Sequence, residues 1–236
     1  MLISDESPLR RLLVGIGRKQ LLFLDGVRHA AEIVDLAYAR LRDILSPITL
    51  EDQNAPFPRG RATASFLDSW VIVDAVDRLR GLLHLMPDQV LADSTDIRRF
   101  LEESKVVRSL RNVTDHLAER ADYVIANDST ALGILNWVTY RPGDNHATSF
   151  VFTPGTIVNR EAKLVDPTGK MLSQGVNLVT LSAGEYSVNI SELMPKVADV
   201  VRHVEAHLAA LNLADPNATR SGSDMLVSVE FHSARR

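Results

Sequence analysis

Apolar positions recur at spacings near three and four between Gln20 and Leu45: Val27, Ala30, Ala31, Val34, Leu36, Ala37, Leu41 and Leu45. That period predicts one amphipathic helix, interrupted only weakly by Gly26. Pro47 stops it, and the proline-rich stretch from Ser46 to Gly60 predicts a loop. A second helix is predicted from Arg61 to Met86, ended by Pro87-Asp88. Its segment Trp70-Val71-Ile72-Val73 is apolar on every side, which predicts a central place in a bundle. A third helix is predicted to start at Ser94-Thr95-Asp96 and to run unbroken to Ile125. Its stripe is Phe100, Val107, Leu110, Val113, Leu117, Ala121 and Val124.

Beyond the turn Asn127–Thr130 and a short segment, Ala131 to Asn136, the period changes. Segments 137–141, 147–153, 156–166, 177–182 and 186–190 are short and rich in β-branched and aromatic residues. Pro142-Gly143, Pro154-Gly155, Pro167-Thr168-Gly169 and Ala183-Gly184 separate them, the punctuation of an antiparallel meander. A last helix is predicted from Ser191 to Leu213, with Pro195 tolerated in its first turn. Met225–Phe231 adds an expected edge strand. Helices followed by strands define an α+β chain. Residues 1–136 are expected to form a mainly helical bundle. Residues 137–236 are expected to form an appended small antiparallel β-meander with a C-terminal helix, packed on the bundle as one compact unit.

Composition narrows the chemistry more than the fold. The chain has 236 residues, 26 Lys+Arg against 30 Asp+Glu, seven His and no Cys. Without Cys there is no thiolate catalysis, no iron–sulfur cluster and no Cys-ligated zinc. The net charge of −4 argues against a protein that coats nucleic acid through bulk electrostatics. The apolar run after Arg10-Arg11 is broken at once by Arg18-Lys19, too soon for a signal peptide, and no run is long enough to span a membrane. A cytoplasmic location is the expectation, with no membrane partner.

The densest polar constellation lies on the predicted third helix, in Leu110-Arg111-Asn112-Val113-Thr114-Asp115-His116. At about 100° per residue, Arg111, Asp115, Arg108, Asn112, Lys105 and His116 fall about 100–240° from Leu110, on the face turned away from the core. Continuous helix would separate Arg111 and His116 by about 7.5 Å along the axis. A guanidinium and an imidazole so spaced suit a phosphodiester. The first binds phosphate and developing negative charge, and the second exchanges protons near neutral pH. Such a site needs no metal when a ribose 2′-hydroxyl is the nucleophile. Local charge agrees, since residues 98–111 carry Arg98, Arg99, Lys105, Arg108 and Arg111 against Glu102 and Glu103.

Arg-Asn-x-x-x-His on a helix of a bundle resembles the signature of the HEPN superfamily, which includes nucleotide-binding and ribonuclease domains. Phe66-Leu67-x-x-Trp70-x-x-x-Asp74-x-x-Asp77-Arg78-Leu79 resembles the helix packed beside the motif helix in HEPN-like bacterial proteins, and Leu117-Ala118-Glu119-Arg120 the residues that follow the motif. The likeness covers about residues 60–125, and the meander is outside the minimal HEPN bundle. Arg, four to six intervening residues and then His also occurs at Arg78–His84, Arg141–His146 and Arg202–His207. Requiring Asn after Arg leaves only Arg111 and a chance expectation of ~0.03 per chain.

The resemblance implies a homodimer with a composite site, working without cofactor or metal. Arg111 would position phosphate, Asn112 would orient and His116 would do acid–base work. Lys105 and Arg108, on the same side of the helix, are candidates for binding the substrate, though such charges also serve only to solubilise a surface. A toxin or defence endoribonuclease, kept by an antitoxin or other protein partner, is one expectation. The other is an inert dimeric module that binds a protein or nucleotide, because Arg111 and Asp115 are spaced as a plain surface ion pair. Asp74–Arg78 and Asp77–Arg80 also read as helix-stabilising or inter-helix pairs. His203 and His207 have metal-ligand spacing, but no third ligand is evident and a solvated helix face is expected.

Overall fold

The structure, a computed structural model, describes residues 1–13, 15–48, 59–155, 164–214 and 224–230. It is mainly helical α+β, as the sequence predicts. Helix α1 (Arg18–Leu45) buries Val27, Ala30, Ala31, Val34, Ala37, Leu41 and Leu45 of the expected stripe and adds Leu24, whereas Leu36 is exposed. It packs along α2 (Arg59–His84). Gly26 has a reason at this contact. A Cβ there would lie 2.8 Å from Leu82 Cδ1, so the missing side chain lets the two helices approach. On α2, Ile72, Val73, Val76, Leu79 and Leu83 are fully enclosed, and contacts with α1, α4, α5 and α7 give the helix its central place.

The long third helix is corrected. The chain instead forms α3 (Gln89–Ala92), α4 (Thr95–Glu103), α5 (Lys105–Asp115) and α6 (Ala121–Ala126). Asp88 and Ser94 cap α3 and α4 through bonds from Leu91 N–H and Asp96 N–H. Ser104 makes the first break. Its hydroxyl donates to the Phe100 carbonyl and receives Arg80 Nη1 at 2.6 Å, which satisfies local groups without a continuing helix. The second break follows Asp115. There Asn112-Val113-Thr114-Asp115-His116 strings together five residues of weak helix propensity.

The expected meander is corrected too. Strands β1 (Ile134–Arg141), β2 (His146–Phe152), β3 (Gly175–Ala183) and β4 (Tyr186–Asn189) form one antiparallel sheet in the order β2-β1-β3-β4. Two hairpins therefore lie side by side. The long connection after β2 returns β3 to the free edge of β1 instead of to β2. Trp137 faces Phe150 across the first hairpin, with the rings stacked 5.1 Å apart. A register shift interrupts the β1–β3 pairing between Asn136 and Val138. The strand expected at 156–166 falls mostly outside the described residues, and 164–166 are not in a strand. Loop residues 49–58 also lie outside them.

Helix α7 (Ile190–Ala214) follows β4 directly, so Pro195 sits in its second turn and leaves the Ser191 carbonyl without its helical N–H. Leu193, Val197, Val200, Val201, Val204 and Leu208 of α7 join Leu135, Trp137, Leu181 and the α1, α2 and α5 side chains in one continuous buried cluster. The helical and sheet portions thus share a core. The expected edge strand at 225–231 is overturned for its described part: residues 224–230 form no strand, and Met225, Leu226, Val227 and Val229 are exposed. Asp224 holds this segment by accepting from Arg28 Nη2 at 2.6 Å and Nη1 at 3.0 Å. No helix among the described residues is long and apolar enough to cross a membrane.

Candidate functional site

Helix α5 turns Val107, Leu110 and Val113 into the core, which directs Arg111 sideways toward α2. Asp74 and Asp77 lie three residues apart there, on neighbouring positions of one helix face. Arg111 Nη1 donates to Asp77 Oδ2 at 2.9 Å. Its Nε lies 3.1 Å from Asp74 Oδ1 and 3.3 Å from Asp115 Oδ2. Three carboxylates therefore surround one guanidinium. The hydrogen bond to Asp77 chiefly raises the Arg111 pKa above its ordinary value, against the opposing effect of burial.

Two further arginines complete the cluster. Arg78 binds Asp74 at 2.7 Å from the solvent side. Arg80 is well buried, 4.0 Å from Asp77, and donates to the Leu101 carbonyl and to Ser104. Burial lowers the Arg80 pKa and Asp77 opposes the shift. Arg80 thus ties α2 to the α4–α5 junction, a role that its i, i+3 spacing from Asp77 only partly announces.

The other motif residues stand apart. His116 is the C-cap of α5, not a residue within the helix, with φ −113° and ψ 28°. Its carbonyl accepts from the Glu119 and Arg120 N–H groups. Its ring is about half exposed, with Nδ1 3.4 Å from Glu119 Oε2. The wheel position predicted for His116 on continuous helix therefore does not hold. Asn112 and Arg108 are exposed, and exposed Lys105 pairs with Glu102.

Beside Arg111 a groove of about 620 Å³ runs between α1, α2 and α5. Ile33, Leu67, Trp70 and Val71 form apolar wall, and Asp74, Arg78, Arg111 and Asp115 form its charged side. Lys105, Arg108, Asn112 and His116 do not line it. Of the predicted site residues, only Arg111 meets the concave surface, and it meets it already neutralised.

The histidine pair on α7 is not a solvated face. His207 Nε2 lies 2.9 Å from Asp88 Oδ2, and His203 Nδ1 lies 3.3 Å from Asp96 Oδ2. These contacts fasten α7 to the starts of α3 and α4. Burial opposes ionisation of Asp88, but the Leu91 N–H and His207 outweigh it and hold the carboxyl below its ordinary pKa. Among the described residues, no group of three or more His, Asp or Glu side chains is arranged to hold a metal ion.

Comparison with protein-family models, with curated proteins and with solved structures finds no match to this chain.

Proposed function

We propose that this chain is a HEPN-like module that works by association with a second copy and performs no RNA cleavage. The observation that carries the reading is the occupied guanidinium of Arg111. An incoming phosphodiester must displace Asp74, Asp77 and Asp115 and then remain beside their charges. The endoribonuclease reading needs that guanidinium free and His116 presented with it. His116 instead caps the helix and stays outside the groove.

The groove supports the homodimer. Ile33 and Leu67 remain 40% and 55% exposed on its wall. Its rim carries both signs, with Arg78 and Asp115 accessible, which fits pairing with a second copy of the same patch across a two-fold axis. The test is cleavage of RNA in EDTA by the wild type and by His116→Ala, with sedimentation of the wild type and Leu67→Glu alongside. No His116-dependent cleavage is expected, with a wild-type dimer that Leu67→Glu dissociates. Cleavage abolished by His116→Ala, or a wild type that sediments as a monomer, overturns the reading.

A further inference from the structure

A second cavity, of about 380 Å³, opens on another part of the molecule. It lies between the C-terminal part of α1, the segment leading into β3, and the first turn of α7. Arg42, Lys170 and Ser191 line it together with Tyr38 and Met171. Each of the three donors comes from a different element.

Arg42 is the unusual member. Among the described residues, no carboxylate and no hydrogen-bond acceptor pairs with its guanidinium, and its Nε is enclosed without a partner. Among the described residues its specific contact is the Tyr38 ring, whose centroid lies 5.9 Å from the guanidinium carbon. A partly buried cation without an anion is a costly arrangement that a bound anion would relieve. Gly175, next to the guanidinium, has φ +90°, a conformation that favours glycine.

Ser191 supplies a neutral donor. Its Oγ accepts from Val179 N–H at 3.0 Å and from the Tyr38 hydroxyl at 3.2 Å, which leaves its own proton to donate elsewhere. Lys170 adds a second cation, with Nζ 4.0 Å from Glu192 Oε1 in a loose and well-exposed pair. Asn177 is not available. Both ends of its amide are used by Ser173 and Gly175, so it shapes the wall and leaves ligand contact to the others.

We infer that this cavity binds the phosphate group of a small phosphomonoester through Arg42, Lys170 and Ser191. A forked guanidinium, an ammonium and a hydroxyl from separate directions match a tetrahedral dianion better than a planar carboxylate. The volume exceeds that of the bare ion, and Tyr38 and Met171 offer apolar surface to the esterified group. Glu192 weakens the site through its charge and by holding Lys170.

The test is calorimetric titration of the full chain with inorganic phosphate and with phenyl phosphate, against chloride at matched ionic strength. Saturable 1:1 binding is expected for both, tighter for phenyl phosphate. Arg42→Ala should weaken it about tenfold or more, and Lys170→Ala about threefold, the scale of lost charge-assisted hydrogen bonds. Glu192→Gln should tighten it. Lys170 and Glu192 are exposed, so their variants stay informative if Arg42→Ala folds poorly. Arg42→Lys then serves in its place, with weaker binding expected because the fork is lost. Absence of saturable binding, or wild-type affinity in Arg42→Ala and Lys170→Ala, would overturn the assignment.

Discussion

Arg111 and Arg42 both reach concave surface on a largely helical molecule, and their surroundings are opposite. Arg111 lies in a recognisable motif and is met by Asp74, Asp77 and Asp115. Arg42 belongs to no motif and meets no acid among the described residues. The difference lies in what the neighbouring element brings. Helix α2 offers α5 two carboxylates one turn apart, whereas the chain entering β3 and the start of α7 offer α1 a lysine, a hydroxyl and one carboxylate, Glu192, which pairs with the lysine and not with Arg42. Whether an arginine can take an anion is decided by that tertiary pairing, and spacing within its own helix does not report it.

The sharpest way to break the comparison is to measure how much each side of α5 supports the fold. Leu110 is fully buried one residue before Arg111, so Leu110→Ala should cost about 3 kcal/mol in denaturant unfolding. Arg111→Ala should come next, at about 2 kcal/mol. Its loss removes the cation shared by Asp74, Asp77 and Asp115, and the remaining Arg78 and Arg80 pairs together with partial exposure keep the cost below that of a fully buried pair. A cost near zero would mean that the cluster is ornamental and the guanidinium is free after all.

Asp88 sharpens the contrast with a carboxylate whose partners win against burial. Asp88→Ala should cost about 1 kcal/mol near neutral pH, from the lost α3 cap and His207 contact. The sign with pH follows from the folded pKa lying below the unfolded one. The contribution is complete above about pH 4 and disappears as pH falls through the folded value, so wild type and variant should converge in acid. Convergence on raising the pH instead would refute the cause given. His116→Ala should be the smallest change, under about 0.5 kcal/mol, because the ring is half exposed and held only by Glu119.

Much of this architecture is legible in the residues. The three long helices follow from periodicity and prolines, and both hairpins from Pro-Gly and Gly turns between β-branched runs. The breaks in the expected third helix are less visible. Phe100, Val107, Leu110, Val113 and Val124 of the expected stripe face one core from α4, α5 and α6, although Leu117 is only partly buried and Ala121 is exposed, while Arg80 reaching Ser104 is a contact from another helix. Weak helix formers from Asn112 to His116 were the available signal for the second break. Sheet order was hidden because alternation marks a strand's buried face and does not select its neighbour. The Asp74 and Asp77 spacing foretold ion pairs with Arg78 and Arg80. It did not show that Arg111 would complete them. The Arg42 cavity joins positions near 42, 170 and 191, which no local pattern connects.

Thermal unfolding of wild type, Arg111→Ala and Arg42→Ala, each with and without inorganic phosphate, tests the contrast most directly. Arg111→Ala should lower Tm by roughly 4–8 °C and keep the phosphate-induced rise. Arg42→Ala should hold its phosphate-free Tm near the wild type and lose the rise. A phosphate response that vanishes with Arg111 and survives loss of Arg42 would contradict the assignment of structural and ligand-binding roles to these two arginines.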